Sequence, residues 1–347
     1  MAIELGERHY MTVFLKLKGA PREIGYAHGQ ALAEKIAACI AIYRDIFGLT
    51  ESALGEAALA YKKLIWQYAP KLAEEIEGIA AGSGQPQEWI YALNARSELM
   101  STDVPECTSV YFPETGIIGQ TWDWLDFFED LYVVLSIEQE NGHKLLTVTE
   151  PGIVGKVGLS SSGIGVCLNF LSSPGLLKGL PIHIVLRKIL EARSLNDAKT
   201  FALDAGNMPG GKSGNVLVGS AMTSGFNIEY TAVKHDLKNI GSGGFSHTNH
   251  CVFSDIDPGL LGDNSRARLD RANYLISHSK SCSTDDLKTI LSDTADTDNK
   301  ICADYVNFGG IKVGTVSTIV MDLKEGVMEV RKGSSPTGEF QCYRLSE

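Results

Sequence analysis

What this sequence lacks narrows its function before any motif is read. No stretch approaches the roughly 18 uninterrupted apolar residues that a bilayer span needs, so no membrane-crossing helix is expected. An excess of positive charge is missing too. The 31 Lys+Arg stand against 42 Asp+Glu, a formal net charge of −11, which speaks against a nucleic-acid-binding surface. No low-complexity linker, charge block or internal repeat divides the chain. The 7 cysteines, Cys39, Cys107, Cys167, Cys251, Cys282, Cys302 and Cys342, are odd in number and scattered. That is a poor disulfide framework; it fits a reducing compartment and leaves a thiol free for chemistry. Met1 to Arg8 carries Glu4, Glu7 and Arg8 with no apolar h-region, and Arg344-Leu345-Ser346-Glu347 is no peroxisomal signal, so a cytoplasmic enzyme is expected.

Apolar residues make up 44% of the chain and charged residues 21%, ample for a buried core. At 347 residues, one large domain and two ordinary ones are both open. The first hundred residues read as helical: Arg22 to Phe47, Ala53 to Ala81 and Gln87 to Leu99. From Cys107 the texture changes to hairpins. Thr108 to Phe112 and Ile117 to Trp124 flank the turn Pro113 to Gly116, and Leu131 to Glu138 and Lys144 to Thr149 flank Asn141-Gly142. A third pair is Ile153 to Leu159 and Ile164 to Phe170. Ile182, Val185, Leu186, Ile189 and Leu190 then recur at helical spacing, and a second helix spans Leu195 to Ala205. Strands are expected at Asn215 to Val218, Phe226 to Ala232 and Phe245 to Asn249, helices at Ser265 to Ser277 and Thr284 to Ser292, and a last hairpin at Val316 to Asp322 and Val327 to Lys332. This order is an α+β pattern, with helices free to cover sheets on both sides.

Two motifs are set aside on mechanical grounds. Gly206 to Ser213 matches G-x-x-x-x-G-K-S, but a phosphate-binding loop follows a strand and opens a helix, and here the order is reversed. His247 and Asn249 flank Thr248 ahead of His250, yet residues three apart in a strand face opposite ways, so His247 and His250 diverge and no metal site is expected. Cys107 is more informative, since a buried structural role suffices for Cys39 and Cys167. A turn centred near position 115 pairs residues whose numbers sum to about 230, which sets Cys107 opposite Asp123 with their Cβ atoms about 5 Å apart. A one-residue slip would undo that placement.

The chain resembles the acyl-coenzyme A:6-aminopenicillanic acid acyltransferase (isopenicillin N acyltransferase) family of N-terminal nucleophile hydrolases, a peptidase C45-type group. The blocks that carry the resemblance run from Gly19-Ala20-Pro21-Arg22-Glu23-Ile24-Gly25-Tyr26-Ala27-His28-Gly29 through Leu93-Asn94-Ala95-Arg96-Ser97-Glu98, Cys107-Thr108-Ser109 and Gly119-Gln120-Thr121-Trp122-Asp123. They continue in Glu150-Pro151-Gly152-Ile153-Val154-Gly155-Lys156-Val157-Gly158, His247-Thr248-Asn249-His250, and Ser265, Arg268 and Arg271. The resemblance implies a four-layer αββα sandwich in a single domain, 1–347, and self-cleavage at Glu106–Cys107 into chains 1–106 and 107–347 that stay associated.

By the same resemblance Cys107 is the nucleophile, Asp123 holds its freed amine and Asn249 donates to the oxyanion. Thr108, Gln120, His247 and Arg268 line the site, an exposed arginine on its helix being the alternative reading of Arg268. The implied activity is that of a cysteine amidohydrolase or acyltransferase on a small N-acyl amine or amino-acid conjugate, through an acyl-thioester on Cys107. No metal or bound cofactor is implied; acyl-coenzyme A is a co-substrate if the acyl group goes to an amine. Alternatives are an amide hydrolase of the bile salt and penicillin V acylase type, and an uncleaved, non-catalytic relative that binds a ligand. Family members carry glycine where this chain has Glu106. Bile salt hydrolases carry arginine where this chain has Gln120, which favours the acyltransferase branch. Lys312-Val313 stands near the place of an arginine in the penicillin enzyme. Homo-oligomerisation is left open.

Overall fold

The computed structural model describes residues 12–100, 107–171, 178–208, 210, 213–253, 262–308 and 310–346. It begins with strand β1 (Val13–Gly19) and a helical run: α1 (Pro21–Ala31), α2 (Ala33–Phe47), α3 (Glu51–Tyr68), α4 (Pro70–Ser83), α5 (Gln87–Asn94) and α6 (Arg96–Leu99). Both long helices expected from composition are divided. The first breaks at Leu32, which leaves helical backbone at φ −118° and ψ 20°, and the second at Pro70, which cannot donate an internal hydrogen bond and starts α4 instead. Thr50 caps α3 by accepting from the Ala53 N–H, and Gly48 closes α2 in the left-handed conformation.

The remaining strands are β2 (Ser109–Phe112), β3 (Ile117–Leu125), β4 (Val133–Gln139), β5 (Lys144–Thr149), β6 (Val157–Ser160), β7 (Ile164–Asn169), β8 (Gly214–Ser220), β9 (Gly225–Tyr230), β10 (His235–Ile240), β11 (Phe245–His247), β12 (Val306–Phe308), β13 (Ile311–Asp322), β14 (Val327–Lys332) and β15 (Phe340–Arg344). Between them lie α7 (Phe128–Leu131), α8 (Ile182–Leu190), α9 (Leu195–Asn207), α10 (Gly262–His278) and α11 (Thr284–Leu291). One sheet has the order β1-β4-β5-β6-β7-β8-β9-β10; the other runs β11-β2-β3-β13-β14-β15, with β12 on β13.

β2 and β3 pack on β7 and β8, so the sheets face each other; α1, α8 and α9 lie on the first sheet, α10 and α11 on the second. A core cluster from Leu17 to Tyr343 fills the interior, and a smaller one, including Val110, Phe112, Leu287 and Leu291, seals α10 and α11 onto the second sheet. The fold is therefore α+β, a four-layer αββα sandwich, as expected. Strands β1, β10, β12 and β15 were not expected. β1, β10 and β15 end the sheet orders and β12 is off the main path, where polar residues such as Lys16, Lys18, Asp236 and Lys238 are tolerated and the apolar pattern weakens. Among the described residues, no helix is long and apolar enough to cross a membrane.

The first hairpin requires a correction. Phe112 pairs with Ile117 and Ser109 with Gln120, so paired numbers sum to 229 and not 230. Residues 113–116 form a four-residue loop with Gly116 at φ +78°, centred half a residue earlier than expected. Thr108 accepts from the Thr121 N–H at 3.0 Å, which puts Trp122, not Asp123, across from Cys107.

Candidate active site

Cys107 sits just before β2, buried, at the seam between the sheets. Its main-chain N–H donates to Asn249 Oδ1 at 2.7 Å, and its main-chain oxygen accepts from Arg268 Nη1 at 3.0 Å and Asn169 Nδ2 at 3.1 Å. Burial raises the Cys107 thiol to about 12, and the nearby Asp123 carboxylate adds to the rise; the Asp123 N–H, Lys156 and Arg268 oppose it.

The Asp123 carboxylate is buried and its Oδ1 accepts from Thr315 Oγ1 at 2.6 Å. A bulge in β13 makes this fit: Asp123 pairs with Thr315 but Trp122 with Ser317, leaving Val316 as the extra residue. Asn249 follows β11, whose pairing with β2 sets His247 beside Ser109. Its Oδ1 accepts from both Cys107 and Arg268 Nη2 (2.9 Å), and its Nδ2 donates to Phe170 O at 3.0 Å, partners that fix the amide orientation. Cys107, Asn249, Thr108 and Arg268 are thus brought into one network.

Arg268 is not an exposed helical arginine. It lies fully buried on α10, and beyond Cys107 and Asn249 it donates to Thr108 Oγ1 at 3.0 Å and Asn264 Oδ1 at 2.7 Å. Ser265, one turn earlier, accepts from the Asn249 N–H at 2.7 Å, so one face of α10 secures the loop after β11. Gln120 instead ties the sheets together: its Oε1 accepts from the Leu168 N–H at 2.7 Å. His247 bonds Glu229 at 2.9 Å and His250 bonds Ser265 Oγ at 2.7 Å, so the two imidazoles diverge. Among the described residues, no group of three or more His, Cys, Asp or Glu could hold a metal ion. Glu106 lies outside the described residues, as do Pro209, Gly211 and Lys212 of the loop resembling a phosphate-binding motif; α9 precedes that loop and β8 follows it.

Several residues were quoted in motif blocks or passed over without a role. Asn169, Asn215 and Asn227 form a buried amide chain across β7, β8 and β9, with contacts of 3.0 and 2.6 Å, that starts at the Cys107 carbonyl. Cys107, Arg96, Trp122, Trp124 and Lys156 line one pocket with Leu168, Phe170 and Ile182. Glu150 joins the cations beneath it: Oε1 accepts from Arg96 Nη2 at 2.7 Å and Lys156 Nζ at 3.4 Å, and Oε2 from the Tyr43 hydroxyl at 2.5 Å. Burial raises the Glu150 carboxyl, but Arg96 and Lys156 outweigh it and hold it below the usual range. Burial and the Arg96 charge bring Lys156 down to about 7 despite Glu150. Arg96 lies in one block and Glu150 and Lys156 in another more than fifty residues on, so no local spacing points to the cluster.

The model of the family described as acyl-coenzyme A:6-aminopenicillanic acid acyl-transferase matches residues 112–336. The 40 kDa form of acyl-coenzyme A:6-aminopenicillanic-acid-acyltransferase from Emericella nidulans is 33% identical over 249 residues, covering 68% of this chain and 69% of that protein. Similar solved structures include penicillin V acylase from Agrobacterium tumefaciens, 13% identical, covering 70% of this chain and 86% of that one at a TM-score of 0.46. A variant of conjugated bile acid hydrolase from Clostridium perfringens is likewise 13% identical, covering 70% and 92% at a TM-score of 0.47. These structural likenesses are too distant to carry an activity across. On the strength of the family match and the 33% identity, the chain belongs to the acyl-coenzyme A:6-aminopenicillanic acid acyl-transferase family.

Proposed function

We propose that the protein is a self-cleaving cysteine amidohydrolase or acyltransferase that acts on small N-acyl amines or amino-acid conjugates through a thioester on Cys107. The observation that carries this reading is the clamping of Cys107 at both main-chain ends, N–H to Asn249 and oxygen to Arg268 and Asn169, with its thiol at the pocket. In self-cleavage Cys107 Sγ attacks the Glu106 carbonyl carbon. A C–S bond forms, the Glu106–Cys107 C–N bond breaks, and the nitrogen leaves as the α-amine. Water then hydrolyses the thioester, leaving a Glu106 carboxylate and a free thiol.

Such an amine has a pKa near 8 and a thiol near 8.5, so the amine accepts the thiol proton at neutral pH without a histidine. Sγ next attacks the substrate amide, the amine product leaves with that proton, and water or an amine takes the acyl group. Asp123 orients the α-amine and Asn249 Nδ2 turns from Phe170 O to the oxyanion. In the transfer mode acyl-coenzyme A is the acyl donor. The two chains stay together because β1 of the first is paired in register with β4 of the second, and one core cluster spans both.

Intact mass under denaturing conditions tests this reading. Two species, 1–106 and 107–347, are expected from the native sequence and one from Cys107→Ala, which should also lose turnover. A single uncut species whose Cys107 is never acylated by amides would overturn it.

A further inference from the structure

We propose that Glu229 is a positioning residue for the reaction: through His247 and the main chain of Val252 and Phe253 it fixes the loop that carries Asn249. This rests on the reading of Cys107 as the acylated nucleophile and Asn249 as the oxyanion donor. The fold sets the problem that Glu229 solves. β11 is a three-residue strand at the end of its sheet, and after His247 the chain leaves that sheet. The main-chain N–H groups beyond it need new partners, and an amide that must meet an oxyanion to within about 0.5 Å sits on a loop rather than a strand.

The partners come from the other sheet. Asn169 pairs with Asn215 and Asn215 with Glu229, so the three share one face and form a fully buried polar row across β7, β8 and β9. At one end of the row Asn169 Nδ2 donates to the His247 main-chain oxygen at 3.3 Å. At the other, Glu229 Oε1 bonds His247 Nε2 at 2.9 Å and accepts from the Val252 N–H at 2.6 Å, while the Phe253 N–H lies 3.3 Å from Oε1 and 3.2 Å from Oε2. His247 is thus held at its main chain and at its ring by the same row. Its Nδ1 donates to Thr248 O at 2.8 Å, which ties Glu229 to the residue just before Asn249.

A carboxyl group without exposure is costly to bury unless polar partners meet it, and Glu229 draws His247, Val252 and Phe253 from one short stretch, 247–253, with Asn249 inside it. Ser265 of α10 takes the Asn249 N–H at 2.7 Å. Asn249 is therefore gripped between α10 on one side and β9 on the other. Glu229 is bonded to the loop, so its effect reaches the chemistry through the place it gives Asn249.

The test is a double-mutant cycle of Glu229→Ala and Asn249→Asp. Both kcat and KM are measured on acetyl, butanoyl and hexanoyl 4-nitroanilides, per molecule of cut protein counted by intact mass. Glu229→Ala should lower kcat by between about tenfold and a hundredfold and leave KM within about threefold, because an oxyanion donor acts in the transition state alone. Beside Asn249→Asp the same change should cost less than about threefold, since the donor it positions is gone. Glu229→Gln keeps an acceptor for the Val252 N–H and should recover part of the loss. An equal cost in both backgrounds, or a loss carried by KM, overturns the positioning role and leaves Cys107 and Asn249 in theirs. If no anilide acylates Cys107 of the native protein, read by mass spectrometry, the nucleophile assignment falls and this inference with it. Should Glu229→Ala fail to fold or to cut itself, Glu229→Gln takes its place in the cycle, and its smaller cost must again vanish beside Asn249→Asp.

Discussion

Arg268 Nη1 donates to the main-chain oxygen of Cys107 at 3.0 Å across 161 residues of chain, and the other arm of the same guanidinium reaches Asn249 Oδ1 at 2.9 Å. A planar fork is needed to serve both acceptors at once. Lys at this position keeps the charge but reaches one acceptor and leaves the other buried and short of a partner. Arg268→Lys is expected to lower stability by about 1–3 kcal/mol in urea unfolding and to slow Cys107 acylation. Unchanged unfolding and acylation would show that the fork is dispensable.

Asn249→Asp separates the two ends of the amide. An acceptor for the Cys107 N–H is retained, while the donor proposed for the oxyanion is lost. The expected result is a fall in turnover on the order of a hundredfold to a thousandfold, with self-cleavage followed separately by intact mass. A loss of less than about threefold would remove Asn249 from the oxyanion role.

The burial that raises the Cys107 thiol to about 12 makes its reactivity in the uncut chain a pH experiment. The thiolate is the reactive form and stays scarce until the pH nears that value, so alkylation by iodoacetamide should climb about tenfold per pH unit from 7 to 10. Peptide mapping should find exposed Cys342 labelled first at pH 8. Equal labelling of Cys107 and Cys342 at that pH would mean that the thiol is not held in its neutral form.

The order of helices and strands and the Cys107 hairpin were legible in the sequence because turn residues and apolar periodicity mark them directly, whereas the αββα layering was implied by the family resemblance. The register was not legible, since a turn centre read half a residue late moves the expected partner of Cys107 from Trp122 to Asp123. Arg268 was named as lining the site, but its burial was hidden for a different reason. The buried face of α10 is Gly262, Ser265, Arg268 and Ala272, small or charged residues that raise no hydrophobic periodicity. The Arg96, Glu150 and Lys156 cluster forms only when α6 and the loop between β5 and β6 meet behind Trp122, and nothing local announces that meeting.

Lys156 should also leave a mark on stability. Its folded value of about 7 lies below the ordinary 10.5, so between those limits the unfolded chain binds the extra proton and the Lys156 contribution to stability rises with pH. Lys156→Met removes that slope. The stability of the variant relative to the native protein should be greatest near pH 7 and shrink by on the order of a few kcal/mol toward pH 10, read from urea unfolding at each pH. A pH-independent difference would show that Lys156 titrates as it does in water.

Two glycines offer a test of opposite sign. α1 and α4 cross with main chains in contact: a Cβ on Gly29 would lie 2.2 Å from Ile79 O and 2.7 Å from Ser83 N, and one on Gly82 would lie 2.1 Å from Tyr26 O. Backbone cannot step aside as a side chain can, so Gly29→Ala must push the helices apart, at a cost of about 1–3 kcal/mol or more. Gly55, within α3, has nothing within 4 Å of its missing Cβ. There alanine only restricts the unfolded chain and favours helix, so Gly55→Ala should stabilise by up to about 1 kcal/mol. Thermal unfolding of the pair separates close approach from intrinsic propensity: a common direction of shift would mean that the α1–α4 crossing is looser than these distances require.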